Sequence, residues 1–284
     1  MSFHESPITF VSHTGLLVKD LERCKSFYRD ILGLKLLKGT ESKADFSADG
    51  EKPLITIEKA GEVVPKKAGA PGLYHMALLL PDRSDLARFL RHMLKSDYPL
   101  QGASDHYVSE AIYLADPEGN GIEVYIDRPA ETWQWNQGEV HMTTEPLDAN
   151  GLLTVGNDKD WEGMPAGTVM GHIHLQVIEL KETEKFYCKG LGFDLVNRYG
   201  SKAIFVSSGG YHHHIGLNTW QSRGGEPAED NTPGLNNFTL ILRDEAERGT
   251  TLQRLKEMGT TIEKTIGGIF VQDPSGNRIK LATA

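Results

Sequence analysis

Apolar residues recur along the chain at two different spacings, and the change from one spacing to the other predicts where strands give way to helices. In "GHIHLQV" from Gly171 every second residue is apolar, which predicts a strand with one buried face. From Leu21 to Leu32 apolar side chains recur three and four residues apart, and Gly33 then supplies a helix stop. Two or three further short strands follow each such pair. The pattern therefore predicts a β-α-β-β-β unit.

This unit is repeated along the chain. The stretch "HTGLLVKDLERCKSFYRDILGLKLL" from His13 aligns without a gap with "HIHLQVIELKETEKFYCKGLGFDLV" from His172. Two other copies end in the same turn, "DPEGN" from Asp116 and "DPSGN" from Asp273, where proline and glycine favour a tight reversal. The four predicted copies, called modules one to four, cover residues 8–59, 72–127, 167–219 and 233–284.

The repeats predict an α+β protein with a central connector. Modules one and two are expected within residues 1–127, the connector within 128–166, and modules three and four within 167–284. The connector is rich in proline, glycine and acidic residues. Its three tryptophans, which we expect to pack against the body of the protein, are Trp133, Trp135 and Trp161.

Composition and charge narrow the classes of function. The 284 residues include 30 basic and 39 acidic side chains, for a formal net charge of -9, without a cluster of Lys and Arg suited to a phosphate backbone. We therefore expect no nucleic-acid partner. No apolar run is long enough to span a bilayer, and no secretory signal is evident at the start. With only Cys24 and Cys188 available, a reducing cytoplasmic location is expected.

Strand alternation also selects side chains that could hold a metal ion. When the apolar residues of "YHMALLL" and "NGIEVYI" face the helices, His75 and Glu123 face the opposite side, as His172 does in module three. A carboxylate that faces inward among apolar neighbours is costly unless it is paired or bound to a metal. Glu123 is therefore the most informative of these residues, with a simple ion pair as the structural alternative.

The four modules differ at these positions. Module two is complete with His75 and Glu123, whereas module four has Lys280 in place of the glutamate. At the opening strand the modules carry, in chain order, His13, His75, His172 and Asn237. Module four therefore offers a cation no good ligand.

Two ligand sets follow, and they depend on which modules pair. If module one pairs with module two, the set is His13, His75 and Glu123. If module three pairs with module two, it is His75, Glu123 and His172, and the histidine run 212–214 favours this second set because the imidazoles then gather at one site. Two histidines and a carboxylate form the facial set that non-haem Fe(II) oxygenases use.

The openings of the form "HxxLxVxDLxxxxxFYxxxLG" and the closings of the form "DPxGNxIE" resemble those of the vicinal-oxygen-chelate superfamily. That superfamily includes glyoxalase I, bleomycin-resistance proteins and extradiol ring-cleaving dioxygenases. The resemblance covers nearly the whole chain outside the connector, and the strings "GHIHL" and "GGYHHHIGLN" are most similar to those of the Bacillus-type catechol 2,3-dioxygenases. It implies the vicinal-oxygen-chelate fold, in which four βαβββ modules form two cupped eight-stranded mixed sheets around a divalent-metal site.

The resemblance also implies roles for residues beyond the metal ligands. In that family a histidine at the position of His213 would act as acid or base toward a catechol proton. The alternation of side chains along the strand does not favour His213 over its two neighbours. A histidine and a tyrosine before the turn would bond the substrate oxygens and the ring-cleavage intermediates. The expected catalytic residues are thus His213 and Tyr113, and the expected substrate contacts are His106, His174 and His212.

The implied function is an extradiol dioxygenase that uses non-haem Fe(II), with Mn(II) as the alternative ion, to open catechol-type rings. Its expected partners are a small aromatic diol and O2, and the sequence leaves homo-oligomerisation open. One rival is a glyoxalase-like metal-dependent isomerase or lyase, which would need a fourth protein ligand where module one offers only Thr56. Another is a non-enzymatic, small-molecule-binding resistance protein that keeps the cup without the metal.

Overall fold

All four β-α-β-β-β modules are present in the computed structural model, which describes residues 2–155 and 159–284. Module one consists of β1 (Phe10–Val18), α1 (Leu21–Ser26), β2 (Lys35–Gly39), β3 (Lys43–Ser47) and β4 (Ile55–Lys59). Module two consists of β5 (Gly72–Leu79), α2 (Arg83–Ser96), β6 (Leu100–Asp105), β7 (Ser109–Ala115) and β8 (Gly121–Asp127). The connector contributes β9 (Trp135–Asn136), β10 (Glu139–Val140), β11 (Glu145–Pro146) and α3 (Ala149–Val155).

The second half of the chain repeats the same order. Module three consists of β12 (Val169–Gln176), α4 (Leu180–Glu184), β13 (Asp194–Tyr199), β14 (Ala203–Ser207) and β15 (Ile215–Asn218). Module four consists of β16 (Gly234–Leu242), α5 (Glu245–Glu257), β17 (Ile262–Thr265), β18 (Gly268–Gln272) and β19 (Arg278–Thr283). In modules one and three the helix continues as a wider π-helical turn, over Phe27–Ile31 and Lys185–Leu191.

The modules pair into two mixed sheets. Modules four and one form an eight-stranded sheet with the order β17-β18-β19-β16-β1-β4-β3-β2. Modules two and three form a nine-stranded sheet with the order β11-β6-β7-β8-β5-β12-β15-β14-β13. The ninth strand, which the repeats did not predict, is the two-residue β11 of the connector at the edge of β6. Module two is therefore paired with module three, as the distribution of histidines favours.

The two sheets have the same strand register at their centres. In the nine-stranded sheet β12 runs antiparallel to β5 with His172 opposite Ala77, and β8 runs parallel to β5 with Glu123 beside Ala77. The corresponding residues of the eight-stranded sheet are His13, Thr239 and Lys280. An irregularity interrupts the ladder just before His172 and again just before His13. Positions in the two sheets can therefore be compared residue by residue.

Acidic residues fix where the module helices begin. The carboxylate of Asp20 accepts a hydrogen bond from the backbone N–H of Arg23 at 3.0 Å, which satisfies one of the donors left free at a helix start. Acidic N-caps start the helices of the other modules at Asp82, Glu179 and Asp244. The apolar sides of the helices then cover the outer faces of the sheets, with rings such as Phe89 fully buried.

Two tyrosines link modules that belong to different sheets. The hydroxyl of Tyr28 in module one donates to Oδ2 of Asp116 in the closing turn of module two at 3.0 Å. The hydroxyl of Tyr187 in module three donates to Oδ2 of Asp273 in module four at 3.1 Å. The tyrosine of each "FY" pair thus bonds the aspartate of a "DPxGN" turn, and these two hydrogen bonds link the two sheets.

Two of the three tryptophans of the connector pack against the body of the protein. Trp133 is buried and stacks near Phe3, and the ring of Trp161 lies 5.3 Å from that of Phe89. Trp135 is 40% exposed at the start of the two-residue strand β9, so the prediction that it packs inward is wrong. Its partner strand β10 is equally short, and this small hairpin does not bring the ring back to the core.

Two expectations about the environment of the chain can be compared with the structure. Over residues 2–155 and 159–284, no helix has the length and apolar character needed to cross a membrane. Both Cys24 and Cys188 are free thiols rather than members of a disulfide.

Candidate metal centre and active site

Three side chains converge on one point in the nine-stranded sheet. His75 on β5, Glu123 on β8 and His172 on β12 are all buried, and their nearest nitrogen and oxygen atoms lie within 4.8 Å of one another. Oε2 of Glu123 is 3.0 Å from Nε2 of His75 and 3.2 Å from Nε2 of His172. The strands bring these side chains together because neighbouring strands present equivalent positions on one face.

The protonation states of this cluster suit a cation. Burial lowers the pKa of His172 to about 4, so its imidazole is neutral at physiological pH. Burial alone would raise the pKa of Glu123, but its interactions with His172 and then His75 outweigh that effect and hold the pKa well below its usual range. A neutral imidazole beside an ionised carboxylate is the form in which both groups bind metals.

The geometry of the cluster fits a divalent ion. Nε2 of His75 is buried and makes no hydrogen bond to the described residues, although it faces the carboxylate of Glu123. Ligand atoms at about 2.1 Å from an ion and at right angles to one another lie about 3 Å apart. The two distances to Glu123 match that separation. In a simple ion pair Nε2 of His75 would carry a hydrogen and donate it to the carboxylate, whereas no such hydrogen bond joins the two side chains among the described residues.

The structure also shows what stands at the position of a fourth protein ligand. Thr56 lies in the other sheet, where β1 pairs Gly15 with it; the corresponding residue beside β12 is Gly216, next to His174. A Cβ added to Gly216 would meet the His174 ring at 2.9 Å. A carboxylate therefore has no room there, and the cluster that could hold a metal consists of three side chains.

The cluster opens into a cavity of about 390 Å³. Its polar side is formed by the three clustered residues with His106, Tyr113 and His213. Its apolar side includes Tyr74, Phe205 and Trp220, of which Tyr74 and Trp220 are partly exposed at the mouth. Among the described residues, no lysine or arginine lines this cavity. The volume and the mixed lining are typical of a small-molecule site.

The three consecutive histidines precede a strand instead of starting it. β15 begins at Ile215, so side-chain alternation does not apply to residues 212–214. His213 lines the cavity, and its ring centroid lies 4.2 Å from that of His172. Burial, followed by the neighbouring imidazoles, lowers the pKa of His213 well below the ordinary value, which keeps the ring neutral.

The other two histidines of the run lie behind the cavity wall. His212 is completely buried, and both of its ring nitrogens are engaged, at 2.8 Å from His213 Nδ1 and 2.8 Å from Asp127 Oδ1. The expectation that His212 contacts substrate does not fit this placement, because His213 stands between it and the cavity. His214 is also buried, with Nε2 3.0 Å from the carbonyl of Phe3.

His106 and Tyr113 form a hydrogen-bonded pair at the cavity. Nδ1 of His106 lies 2.6 Å from the carbonyl oxygen of Thr143, which can only accept, so this nitrogen carries the hydrogen. In the neutral ring Nε2 then accepts from the Tyr113 hydroxyl at 2.6 Å. Burial, followed by the charge of Glu123, raises the pKa of Tyr113 well above its usual value. Tyr113 thus stays protonated, with its oxygen lone pairs available to a ligand.

His174 is the remaining predicted substrate contact. It lines the cavity, and its buried Nε2 has no hydrogen-bond partner among the described residues. The rings of His75 and Trp220 lie 5.0 Å and 5.4 Å from it. Burial, followed by His75, lowers the pKa of His174 well below its usual value. A bound ligand could satisfy this neutral nitrogen.

The sequence reasoning missed a polar chain behind the site. Tyr125 and Asp127 continue the inward face of β8 beyond Glu123, two and four residues on. The Tyr125 hydroxyl lies 2.7 Å from that of Tyr211, which donates to Asp127 Oδ1 at 3.2 Å. The alternation that selected Glu123 would have found both residues, had it been followed to the end of the strand.

Comparison with known proteins places this architecture and site in a family. The model of the glyoxalase/bleomycin resistance protein/dioxygenase superfamily matches residues 11–124 and 169–281. The chain is 43% identical to a catechol-2,3-dioxygenase of Bacillus subtilis (strain 168) over 277 residues, which is 96% of each protein. It is 27% identical to biphenyl-2,3-diol 1,2-dioxygenase 3 of Rhodococcus globerulus over 139 residues, 47% of this chain and 73% of that protein.

The solved structure of glyoxalase I from Zea mays shares the fold, with a TM-score of 0.59 at 16% identity over 97% of this chain and 92% of the other. That likeness concerns the arrangement of the modules alone. The two matched segments of the family model cover four fifths of the sequence and contain all three residues of the metal cluster. The chain belongs to the glyoxalase/bleomycin resistance protein/dioxygenase superfamily.

Proposed function

We propose that this chain is an extradiol dioxygenase that opens the ring of catechol-type aromatics beside the diol, with Fe(II) held by His75, Glu123 and His172. The observation that carries the proposal is the cluster of His75, Glu123 and His172 in the lining of the cavity. The full-length likeness to a catechol-2,3-dioxygenase supports the same reaction class. The three-ligand set also speaks against a glyoxalase-like isomerase, because Gly216 excludes a fourth carboxylate.

The metal would supply the Lewis acidity that lowers the pKa of the diol and the redox chemistry that dioxygen needs. His75, Glu123 and His172 all line the cavity, so a diol and O2 would reach them from the cavity. The donor set and the likeness to a catechol-2,3-dioxygenase support a metal; Fe(II) is our choice of ion, with Mn(II) as the alternative. Two nitrogens and one oxygen suit either ion.

His213 is the residue we assign to proton transfer. It faces the cavity beside His172, and its ring is neutral because it is buried. A neutral imidazole can accept a proton from a catechol hydroxyl and later return it to the opening ring. Such a transfer by a positioned group contributes about 10²- to 10⁴-fold to a rate.

Tyr113, His106 and His174 orient the substrate. The hydrogen of the Tyr113 hydroxyl is committed to His106, so its oxygen is an acceptor for a substrate hydroxyl. Nε2 of His174, which has no hydrogen-bond partner among the described residues, offers a second polar contact in the cavity. Fixing the ring between these groups supports catalysis through orientation.

The lining of the cavity selects uncharged diols. A carboxylated catechol would bring a second negative charge close to Glu123, and within the described part of the chain no lysine or arginine lines the cavity to receive it. The aromatic side formed by Tyr74, Phe205 and Trp220 suits alkyl or aryl substituents instead. We therefore propose neutral catechols as substrates. The partners of the protein are then such a diol and O2, and the free thiols fit a reducing cytoplasm.

The test loads metal-free protein with Fe(II), Mn(II) or Zn(II) under argon and then adds a catechol in air-saturated buffer. The expected result is a yellow ring-opened semialdehyde, with O2 and catechol consumed in equal amounts, for Fe(II) or Mn(II) only. 4-Methylcatechol should react faster than 3,4-dihydroxybenzoate. Failure of every neutral catechol with every ion, or turnover of a hemithioacetal instead, would overturn the proposal.

A further inference from the structure

Behind the cavity wall, three titratable side chains form an unbroken hydrogen-bonded line. Nδ1 of His213 lies 2.8 Å from Nδ1 of His212, and Nε2 of His212 lies 2.8 Å from Oδ1 of Asp127. His212 is completely buried, His213 faces the cavity, and Asp127 is partly exposed at the end of β8. The line therefore runs from the side of the substrate to the outside of the sheet.

The chemistry of the terminal carboxylate fixes where each hydrogen lies. An ionised carboxylate only accepts, so Nε2 of His212 carries a hydrogen and donates it to Asp127. When His212 carries this hydrogen alone, its Nδ1 is left as an acceptor. The contact between the two Nδ1 atoms needs one donor, and His213 must supply it. His213 is then hydrogenated on Nδ1, and its Nε2 keeps a free lone pair.

We infer that Asp127 is a positioning residue that acts through His212 to hold His213 in the tautomer whose Nε2 is the free base. This rests on the role proposed for His213 in ring cleavage. Without Asp127, His212 could carry its hydrogen on either nitrogen. When His212 carries it on Nδ1, it donates toward His213, whose own hydrogen moves to Nε2 and blocks proton acceptance there.

Two tyrosines keep the carboxylate of Asp127 in place. The Tyr211 hydroxyl donates to the same Oδ1 that receives His212, and it is itself hydrogen-bonded to the Tyr125 hydroxyl at 2.7 Å. Both tyrosines are completely buried. One buried hydroxyl, that of Tyr211, therefore holds the carboxylate directly, and the second, that of Tyr125, holds Tyr211. These contacts orient Oδ1 of Asp127 toward His212. Asp127 can act on His213 only when it is held in this orientation.

The other sheet lacks this line. The residue four positions after Lys280, which corresponds to Asp127 four positions after Glu123, is Ala284. The residues before β4 that correspond to the histidine run include Pro53, which has no side-chain donor. The aspartate and the two imidazoles therefore occur together only in the sheet that carries the metal cluster.

The first test reads the tautomer directly in the metal-free full-length chain. Nitrogen-15 spectra of histidine-labelled protein should show Nδ1 of His213 as the hydrogen-bearing nitrogen and Nε2 as the bare one, with signals assigned by their loss in His213→Asn. In Asp127→Ala the His213 pattern should become a mixture or reverse. A bare Nδ1 in the unmodified chain, or an unchanged pattern in Asp127→Ala, would overturn the inference.

The second test is kinetic and uses metal-loaded protein. Asp127→Ala should lower kcat by about 10- to 100-fold, while KM for catechol changes by less than about threefold, because the effect lies in proton transfer and not in binding. Asp127→Asn keeps an acceptor oxygen and should retain the Nδ1 tautomer and most of kcat. Asp105→Ala, which removes a nearby carboxylate bonded to Arg128, is the matched control and should leave kcat unchanged.

The two proposals fail in different ways. If no catechol is cleaved but the His213 tautomer depends on Asp127, the positioning role stands and the reaction class is wrong. If catechol is cleaved and Asp127→Ala keeps both the tautomer and kcat, the positioning role is wrong. Should Asp127→Ala fail to fold, the spectrum of the unmodified chain still tests the inference, because a bare Nδ1 on His213 would overturn it.

Discussion

The two sheets of this protein have the same strand register but opposite uses of their central polar residues. In the nine-stranded sheet, Nε2 of His75 is left without a hydrogen bond beside Glu123. In the eight-stranded sheet, Nε2 of His13 is bonded to the Thr56 hydroxyl at 2.8 Å, and that hydroxyl donates to Asp45 at 2.6 Å. The nine-stranded sheet leaves Nε2 of His75 without a partner among the described residues and joins His172 only to Glu123, whereas the eight-stranded sheet satisfies its one central imidazole, His13, internally.

The comparison teaches that the fold alone does not make a metal site. Strand order, register and the irregularity before the first histidine are shared, so the backbone provides equivalent positions in both sheets. What differs is chemical: Glu123 and His75 of one sheet correspond to Lys280 and Asn237 of the other. A lysine at the position of the carboxylate repels a cation, so a few side chains decide which sheet is functional.

The largest expected effect comes from removing the carboxylate of the nine-stranded sheet. Glu123→Gln should lose its metal on dialysis and lower ring cleavage by more than about 100-fold, because a neutral amide is a poor ligand for a divalent ion. Metal analysis and O2 uptake measure this. The matched control is Lys280→Gln at the corresponding position, which should keep the metal and the rate. Retention of bound metal in Glu123→Gln would refute the ligand assignment.

The reverse experiment would create a site in the eight-stranded sheet. In a Glu123→Gln background, Asn237→His together with Lys280→Glu completes two imidazoles and a carboxylate with His13. The chain should regain about one bound divalent ion, since the backbone positions are equivalent. The control carries Asn237→His without the carboxylate and should bind none. No gain of metal in the full variant would mean that the register of the two sheets is not sufficient.

A smaller effect concerns pH and the buried histidine of the eight-stranded sheet. Burial lowers the pKa of His13 to about 4, whereas an unfolded histidine titrates near 6.5. Between these pH values the unfolded chain binds more protons, so the free energy of unfolding falls as the pH is lowered. His13→Asn should remove up to about 3 kcal/mol of this pH dependence, as urea unfolding of metal-free protein can measure. Substituting the exposed His141 in the same way should leave the slope as it is.

The smallest effect tests a feature that both halves share. Tyr28→Phe and Tyr187→Phe each remove one hydroxyl bonded to the aspartate of a closing turn. Each should lower the free energy of unfolding by about 1 kcal/mol and leave metal content and kcat unchanged. Thermal or urea unfolding gives the values. Unequal losses in the two variants would show that the structural equivalence of the halves does not extend to energetics.

Much of the fold and the core of the site could be predicted from the sequence, because both depend on local patterns. The repeat predicts the modules, and alternation on β5, β8 and β12 predicts that His75, Glu123 and His172 share a face. The distribution of histidines favours the module pairing that the structure shows. Each of these inferences uses residues inside regular strands, where spacing translates directly into direction.

The rest could not be predicted because it lies where regular spacing ends. The histidine run falls in the turn before β15, so parity could not separate His213, which lines the cavity, from His212, which lies behind it. The connector has no regular spacing of apolar residues, so neither the edge strand β11 nor the exposure of Trp135 could be predicted. Alternation along β8 could indicate the direction in which Asp127 points. Its role toward His213, however, depends on contacts with a distant segment, and no local sequence pattern indicates such contacts.

The pairing of modules two and three has a consequence for how the protein is made. Of the three proposed ligands, His75 and Glu123 emerge from the ribosome in the first half of the chain, and His172 emerges only after the connector. Neither half by itself contains a whole sheet, because β1 pairs with β16 and β5 pairs with β12. A nascent chain thus does not contain all three proposed ligands until residue 172 of 284 has been synthesised.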